Sequence, residues 1–485
     1  MTSPLSELVV VDLSSGIAGA YCTKLLADGG ADVVKVEPPE GDPLRRRSAS
    51  GAEIPAGADG ALFAFLSSSK QSIVADPDDQ SDVRRVLDLV AGADAVVWSR
   101  GSRIAEHPAL APAAIRRVAP NTTVTAITPF GLDGPWSDRA ATEFTLQAWS
   151  GGMVGLGRGS MDRAPISVGG QIGEWLTGAY AAIGTIVSRT RSSIDGGGEL
   201  VDVSMLETIA LCLTYYPVTY LDMVGRPFRK GRAVMTPGVE STSDGLIGVG
   251  VGTGQQWLDF CVLVGHPEWM EDRSLFANRA HLQPAIAEWM AERTSAEVLD
   301  LAGMFRIPHA PIGNGASIPQ TDHFRERGSI VANPRDGFDE PDRPYRFRPS
   351  VLRPPGPAPR LGEHDDRASA PTAREGSVAR PAADGRGPFD GLRVLDLTAF
   401  WAGPLCTHIL GMLGAEVIHV ESTARPDGTR LLAGLRFSEP DWWEKSGIFA
   451  GLNTNKKSVT LDLTAERGRE VLRRLIATCD VMVEN

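Results

Sequence analysis

The chain contains one segment of 31 residues twice. Residues 391–421 (GLRVLDLTAFWAGPLCTHILGMLGAEVIHVE) align without a gap with residues 7–37 (ELVVVDLSSGIAGAYCTKLLADGGADVVKVE), and 14 of the 31 positions are identical. A repeat about 384 residues apart predicts that the chain begins the same domain twice. Only 97 residues, 389–485, are available to the second copy. We therefore expect one complete domain followed by a truncated copy, so that a site built from late residues of the domain exists once.

The overall composition argues against several classes of function. The 485 residues carry a net charge of −12, which is unfavourable for binding nucleic acid or an anionic membrane. No apolar run reaches the roughly 18 residues of a membrane span, and the N-terminus lacks the basic and apolar regions of a signal peptide. The five cysteines are scattered without a CxxC pair, so we predict no metal site. These patterns indicate a cytoplasmic protein.

Short apolar segments alternate with helical segments over the first 200 residues. The pattern predicts strands at 8–13, 31–37, 72–76, 94–99 and 122–130, and helices at 21–30, 81–93 and 171–190. Residues 14–20 are expected to form a glycine-containing loop after the first strand. This order is typical of a doubly wound α/β sheet with a Rossmann-like beginning. The GxGxxG fingerprint cannot be placed on the loop SSGIAGAYCT, so nothing in the motif supports NAD binding.

Changes in composition predict the domain boundaries. Residues 214–330 combine short strands and helices and are expected to form a separate small α+β domain. Residues 331–388 are rich in Pro, Arg, Gly and Asp, and 368–388 are expected to be a flexible linker. The predicted fold is therefore a Rossmann-like large α/β domain with an inserted small α+β domain, followed at 389–485 by a partial second copy of the large domain.

Several ordered motifs resemble the class III CoA-transferase family (CaiB/BaiF type), which includes formyl-CoA and carnitine CoA-transferases and α-methylacyl-CoA racemases. In the first copy these motifs are VVDLSSGIAGAYCTKLLADGGADVVKVEPPEGDPLR, SSKQSIVAD, ITPFGLDGPWSDRAATEF, GEWLTGAYAAIGTIVSR, VDVSMLE and PRLGEHDD. In the second copy they are FWAGPLCTHILGMLGAEVIHVE, LNTNKKSVTLDL and DVMVEN. The resemblance therefore covers most of the chain.

The resemblance implies how the domains and subunits are arranged. In the family, both ends of the chain form the large domain, here residues 1–200 and 331–367, and the small domain is inserted between them. Two subunits interlock, and CoA lies near their interface. We therefore expect a homodimer, or an intramolecular pseudo-dimer in a longer chain that carries two copies.

The resemblance also identifies a candidate nucleophile. A carboxylate suits CoA transfer because it can hold first the acyl group, as an anhydride, and then CoA, as a thioester. The family uses the aspartate of a G-D-x-x-x-G segment for this purpose. The matching segment here is Gly173–Gly178, which carries Glu174, so that the carboxylate is retained one bond further from the backbone. Nearby, Glu143 is expected to form a structural hydrogen bond.

The resemblance assigns CoA contacts less directly. At the positions that contact CoA in the family, this chain has Ile17 instead of the usual glutamine, then Ala18, and Pro38 instead of an arginine. Nearby arginines could instead pair with the CoA phosphates. Lys70, which has an equivalent, Lys456, in the second copy, could contact CoA or form a structural ion pair. The candidate CoA-binding residues are Ile17, Ala18, Pro38, Arg45, Lys70, Arg100 and Arg103, with Arg46 and Arg47 close to them.

Three functions stay open from the sequence. The first is a CoA-transferase acting on an acyl-CoA and a small carboxylic acid, with CoA as substrate and no tightly bound cofactor. The second is a non-catalytic CoA-binding half of a tandem transferase, because glutamate replaces aspartate. The third is an acyl-CoA racemase, which needs a histidine–aspartate pair. The segment that carries this histidine in racemases has Thr142 instead.

Overall fold

The computed structural model describes residues 3–156, 164–213, 236–271, 279–348, 352–366, 387–433 and 440–485. Most of the expected linker 368–388 lies outside these ranges, as do residues 214–235 at the start of the expected small domain. Within the described ranges, no helix has the length and apolar character needed to cross a membrane.

The first 204 residues are organised around a parallel sheet of six strands in the order β3-β2-β1-β4-β5-β6. This is the strand order of the Rossmann fold, and the α/β class is confirmed. The strands are β1 (Val9–Leu13), β2 (Asp32–Glu37), β3 (Gln71–Val74), β4 (Ala95–Ser99), β5 (Thr123–Thr128) and β6 (Leu200–Ser204).

Apolar residues cover both faces of this sheet because successive side chains of a strand point to opposite sides. In β1, Val10 packs in one buried cluster with Val33 and Val97, whereas Val11 packs in another with Val34 and Val96. The helices of this part of the chain are α1 (Gly16–Asp28), α2 (Ala61–Leu66), α3 (Gln80–Ala91), α4 (Pro112–Val118), α5 (Glu143–Trp149), α6 (Ile172–Asp195) and α7 (Met205–Leu213).

Helix α1 begins earlier than the sequence predicts. The expected loop at residues 14–20 ends at Ser15, and Gly16, with φ of +83°, starts the helix. Gly19 lies within this helix, close to Ser14. A Cβ at position 19 would lie 2.1 Å from Ser14 Oγ, so α1 can pass this close to Ser14 only because residue 19 has no side chain. The early start places the amide of Ile17 in the first turn of α1.

Residues 239–311 contain a small antiparallel sheet with its own core. Strands β7 (Val239–Ser241), β8 (Leu246–Val249) and β9 (His309–Pro311) pair in that order. Helices α8 (Gly254–Leu263), α9 (Gln283–Ala291) and α10 (Ser295–Met304) pack with this sheet around a buried cluster. This arrangement is α+β, as the sequence predicts for this part of the chain.

The segment before residue 367 returns to the first sheet. After α11 (Asp322–Arg327), strands β10 (Ile330–Ala332) and β11 (Asp339–Pro341) form a hairpin. Residues 352–366 then run beside β3, where Ser69 N donates to Gly356 O (3.0 Å) and His364 N donates to Ser72 O (2.9 Å). These contacts agree with the grouping of 331–367 with 1–200, although the domain boundaries themselves stay a prediction.

The last part of the chain forms a second parallel sheet in the order β14-β13-β12-β15. It consists of β12 (Arg393–Asp396), β13 (Glu416–Glu421), β14 (Lys457–Thr460) and β15 (Val481–Val483), with α12 (Ala402–Met412), α13 (Gly447–Asn453) and α14 (Glu466–Ile476). The order matches β3-β2-β1-β4 of the first sheet strand for strand. This correspondence supports the inference that residues 389–485 are a partial second copy.

Candidate active site

Two helix N-termini meet at the carboxylate of Glu174. Glu174 lies half-buried in the first turn of α6, and its Oε2 accepts a hydrogen bond of 2.8 Å from the backbone N–H of Ile17 in the first turn of α1. Helix N-termini carry a partial positive charge, which stabilises an anion placed there. The arrangement therefore holds the carboxylate in one orientation through backbone amide and helix-terminus contacts.

The two glycines that flank Glu174 permit this close approach. A Cβ on Gly178 would lie 2.6 Å from the carbonyl oxygen of Ala18, so α6 can contact the backbone of α1 only if residue 178 has no side chain. A Cβ on Gly173 would lie 2.5 Å from Ile209 and 2.9 Å from Oε1 of Glu143. The spacing of the motif thus follows from helix packing on both sides of Glu174.

Glu143 fixes the beginning of α6 from the other side. Its Oε1 accepts hydrogen bonds from Gly173 N (2.9 Å) and from Gln147 Nε2 (2.7 Å). The buried amide of Gln147 also donates to Val168 O and accepts from Val168 N, each at 2.9 Å. Glu143 therefore forms structural hydrogen bonds at the beginning of α6.

The residues before Glu174 are also held in place. Gln171 has a left-handed backbone with φ of +56°, and the guanidinium of Arg47 donates to its side-chain oxygen. Trp175 donates from Nε1 to Gly170 O (3.0 Å) and packs edge-on against Tyr21, with ring centres 4.8 Å apart. These contacts form one polar and one aromatic boundary of the site.

The structure brings two of the predicted CoA-binding residues to Glu174. Ile17 contacts its carboxylate, and Ala18 contacts the backbone of α6 at Gly178. Pro38 is buried at the end of β2 and has no described contact with Glu174. The role of all three positions in binding CoA stays a prediction.

Arg45 is occupied by structural contacts. Its guanidinium donates to both carboxylate oxygens of Glu37 (2.7 Å each) and to Asp59 (2.9 Å), and it stacks 3.9 Å from the ring centre of Phe63. The side chain is 5% exposed. Removal of one partner of such a buried pair would leave the other charge buried and unpaired, which is strongly destabilising.

Lys70 lies in a buried network with Asp12. Its ammonium donates to Ala20 O (2.9 Å) and Thr23 Oγ1 (2.6 Å) and lies 3.6 Å from Asp12 Oδ2. Burial lowers the pKa of Lys70 to about 8, although Asp12 opposes this change. Burial alone would raise the pKa of Asp12, but Lys35 and Lys70 outweigh it and hold that pKa below its usual value.

The second copy repeats this network. Lys456 donates to Asp396 Oδ2 (2.9 Å) and to Pro404 O (3.0 Å), and Thr407 donates to the same carboxylate oxygen (2.7 Å). Lys70 and Lys456 thus make equivalent ion pairs and backbone contacts with α1 and α12. The role of Lys70 in binding CoA stays a prediction.

Arg100 and Arg103 lie on the surface with acidic partners. Arg100 pairs with Asp138 (2.7 Å). Arg103 pairs with Glu40 and Asp78, at 2.8 Å in both cases. Exposed ion pairs are weak, so both guanidinium groups can exchange a carboxylate for a phosphate at little cost.

Two cavities lie away from Glu174. A cavity of about 890 Å³ is lined by Arg45, Arg46, Asp59 and Arg335, among others, and a smaller one of about 400 Å³ by Lys70, Arg353 and His364, among others. Glu174 lines neither. Arg45 and Arg335 share Asp59, at 2.9 and 2.8 Å, so much of the positive charge of the larger cavity is balanced.

No sequence motif marks several of the groups that position Glu174. The amide of Ile17 is 157 residues away in sequence, and Gln171 and Gln147 are polar residues without a motif. The two glycines on either side of Glu174, Gly173 and Gly178, are the local sequence feature that indicates a close approach of α6 to other elements. Within the described ranges, no group of three or more His, Cys, Asp or Glu side chains could hold a metal ion.

Comparison with known proteins identifies the family. The sequence model of CoA-transferase family III matches residues 5–365 and 389–485. The chain belongs to this family. The matched ranges include Glu174 and both 31-residue repeats, and they omit residues 366–388.

Relatives of this chain carry CoA-transferase names. The Mycobacterium tuberculosis protein named "Probable CoA-transferase Rv1866" is 30% identical, over 98% of this chain and 60% of its own length. The succinyl-CoA:mesaconate CoA-transferase of Haloarcula hispanica is 31% identical, over 74% of this chain and 94% of its own length. This chain therefore spans about three fifths of the Mycobacterium tuberculosis protein but nearly all of the Haloarcula hispanica enzyme.

A solved structure has the same fold. The crystal structure of a CaiB/BaiF family protein from Brucella suis is 28% identical, with a TM-score of 0.66, and the likeness covers 76% of this chain and 98% of that protein. The likeness confirms the α/β architecture of a CaiB/BaiF protein.

Proposed function

We propose that the protein transfers CoA from an acyl-CoA thioester to a small carboxylic acid, with Glu174 as the covalent nucleophile. The observation that carries this proposal is the 2.8 Å hydrogen bond from Ile17 N–H to the Glu174 carboxylate at the meeting point of two helix N-termini. Membership of the CoA-transferase family supports the reaction class.

The proposed reaction proceeds through two covalent states of Glu174. A carboxylate oxygen of Glu174 attacks the thioester carbonyl and expels CoA thiolate, which leaves a mixed anhydride. The thiolate then attacks the Glu174 carbonyl carbon and expels the first acid as its carboxylate, which leaves a glutamyl-CoA thioester. The acceptor carboxylate reverses both steps and leaves as the new acyl-CoA, so no proton or electron is consumed overall.

Ile17 N–H is placed to stabilise the charge that develops in these steps. When thiolate attacks the Glu174 carbonyl, negative charge moves onto an oxygen of that side chain, and Oε2 already accepts from Ile17 N–H at 2.8 Å. Such a donor is most effective when it is oriented before the reaction. The longer glutamate arm thus reaches an amide donor that the backbone of α1 provides.

Succinyl-CoA is the first donor to test. The Haloarcula hispanica relative is named for transfer from succinyl-CoA, and it is covered over 94% of its length by this chain. We therefore propose a short acyl-CoA of this kind as donor and a small carboxylic acid as acceptor.

Trapping of the glutamyl intermediates tests the proposal. The full chain is incubated with succinyl-CoA and then with hydroxylamine, and the peptide that carries Glu174 is analysed by mass spectrometry. We expect a hydroxamate at Glu174 and loss of both adduct and turnover in Glu174→Gln. Glu174→Asp shortens the arm by one bond, about 1.5 Å, and is expected to reduce turnover about a hundredfold. Glu288→Gln, an exposed carboxylate of α9, is the control that keeps full activity.

Two other results would identify a different function. CoA binding by calorimetry without any adduct at Glu174 would indicate a non-catalytic CoA-binding role. Exchange of the α-proton of an acyl-CoA in deuterated water would indicate a racemase, although this chain has Thr142 in the segment that carries the histidine of racemases.

We propose that the working protein pairs two copies of the large domain, either in a homodimer or within a longer chain. The repeat at residues 391–421 and the matching order of the two parallel sheets support this pairing. Light scattering coupled to size-exclusion chromatography measures the mass directly. A monomer that is fully active at nanomolar concentration would contradict the need for a second chain.

A further inference from the structure

An arginine with two indole neighbours lies on the surface near the candidate active site. The guanidinium carbon of Arg139 is 5.0 Å from the ring centre of Trp136 and 4.8 Å from that of Trp149. The two indole rings are themselves 4.8 Å apart, and Phe130 packs edge-on against Trp136. We call Trp136, Arg139 and Trp149 the Arg139 cluster.

The charge of Arg139 is not neutralised by a carboxylate in the described part of the chain. The chain carries 60 Asp and Glu residues, and Arg45, Arg100 and Arg103 each pair with one or more of them. Arg139 is exposed, and its described neighbours are aromatic rings, which attract a cation without cancelling its charge. Its guanidinium therefore stays available to an external anion.

The two indoles also have free surface. Trp136 is 37% exposed and Trp149 is 51% exposed, which is unusual for residues of this size. Neither indole N–H donates to an acceptor among the described residues. An exposed aromatic surface beside an unpaired cation suits a ligand that combines a planar ring with negative charge.

The position of the cluster relates it to Glu174. Asp138, next to Arg139, pairs with Arg100 just after β4, and Phe130 lies just after β5, so the cluster is at the carboxyl edge of the sheet. Trp149 ends α5, whose first residue, Glu143, accepts from Gly173 N beside Glu174. Helix α5 has seven residues and is therefore about 10 Å long. Trp149 and the contact between Glu143 and Gly173 lie at opposite ends of this helix.

We propose that the Arg139 cluster binds the nucleotide end of coenzyme A, with the guanidinium on a phosphate and an indole stacked on the adenine. The inference rests on the proposed function, in which the thioester end of the same molecule lies at Glu174. Coenzyme A carries its phosphates and purine at one end of a long flexible arm and its thiol at the other. One molecule can therefore occupy both places.

Calorimetric titration of the full chain tests this binding site without any turnover. The probes are coenzyme A and adenosine 3′,5′-bisphosphate, which has the base and phosphates but no thiol arm. Arg139→Gln and Trp149→Ala are each expected to weaken binding of both probes about tenfold. Arg84→Gln removes an equal charge from the exposed face of α3 and is expected to leave both dissociation constants unchanged.

The salt dependence of binding distinguishes the ion pair made by Arg139 from the stacking made by the indole. Increasing ionic strength is expected to weaken binding of the bisphosphate more in the unaltered protein than in Arg139→Gln, because the ion pair is screened. Arg139→Lys keeps the charge without the planar group and is expected to bind with intermediate affinity. This variant and Trp149→Phe keep the test valid if circular dichroism shows that Arg139→Gln is unfolded.

The results distinguish failure of the inference from failure of the proposed function. Equal affinity for coenzyme A in Arg139→Gln and the unaltered protein, or an equal loss in Arg139→Gln and Arg84→Gln, would overturn the inference. Absence of coenzyme A binding by the unaltered protein would overturn it as well. The expected loss at Arg139 without any adduct at Glu174 would support the binding site and contradict the transferase mechanism.

Discussion

At the scale of single residues, Gly178 determines how closely α6 approaches α1. Its missing Cβ leaves the carbonyl oxygen of Ala18 in direct contact with α6, and this contact aligns Ile17 N–H with Glu174. Interiors are packed so tightly that one added methyl group must move a backbone segment. The same glycine therefore contributes to both the stability of the fold and the orientation of Glu174.

We expect Gly178→Ala to destabilise the protein by about 1–3 kcal/mol, because the added methyl group would lie 2.6 Å from backbone that cannot yield locally. Turnover is expected to fall as well, since the Ile17–Glu174 contact lengthens. Urea denaturation and steady-state kinetics measure the two effects. Gly254→Ala is the control, because no atom lies within 4 Å of a Cβ there. An unchanged urea midpoint for Gly178→Ala would contradict this expectation, because it would show that α1 can shift away from the added methyl group without loss of stability.

The sequence identifies Glu174 as a candidate but does not identify the groups that orient it. The position follows from the glycine spacing and from the resemblance, whereas its hydrogen-bond donor is a backbone amide whose residue type carries no signal. Arg139 illustrates a second limit. The sequence cannot distinguish an arginine that contacts Trp136 and Trp149 from one, such as Arg45, that is paired and buried.

At the scale of elements, the two copies carry different basic side chains at one buried position of the second strand. Lys35 of β2 lies opposite Asp12 of β1 and pairs with Asp42 (2.7 Å), and the equivalent residue of β13 is His419, opposite Asp396. The His419 ring lies 3.2 Å from Asp396 and 3.7 Å from Glu421. Burial lowers the pKa of His419, but the two carboxylates outweigh it and raise the pKa to about 9.

This substitution predicts a pH dependence of the second sheet. The folded pKa of His419 exceeds the usual 6.5, so its stabilising charge is fully present below pH 6.5 and is lost as pH rises to about 9. The loss is at most about 3 kcal/mol. We expect His419→Lys, which restores the cation found at position 35, to remove this dependence. Thermal unfolding between pH 6 and 9.5 measures it, and an equal decline in both proteins would contradict the assignment.

The bounds of β1 and β4 were predictable from the sequence more closely than the beginning of α1. The apolar run of β1 and the segment of β4 are found within one or two residues of their predicted bounds, because strands buried on both faces are apolar throughout. The beginning of α1 was not predictable, because Gly16 and Gly19 are typical of a loop. Only the contact between Gly19 and Ser14 shows why a helix tolerates them.

At the scale of the whole molecule, the buried clusters of the first and second sheets are separate in the described residues. Val11, Val34 and their neighbours form the core of the first sheet, and Val394, Ala415 and Val417 form that of the second. Independent cores unfold as independent cooperative units unless a large interface joins them.

We therefore expect at least two thermal transitions in differential scanning calorimetry of the full chain. His419→Lys is expected to shift one of them at pH 9 and to leave the other in place, because His419 contacts residues of the second sheet. A single transition with equal calorimetric and van't Hoff enthalpies would show that the two parts are coupled.

The buried lysine networks have a consequence for the chemical reactivity of the molecule. The chain has seven lysines, and the side chains of Lys24, Lys35, Lys70 and Lys456 are 7%, 1%, 0% and 2% exposed. In contrast, Lys457 is 70% exposed. Amine-directed labels and cross-linkers should therefore modify Lys457 in the native protein and reach these four only on unfolding. The extent of amine labelling would then report the integrity of both sheets, while arginine provides most of the positive charge that solvent meets.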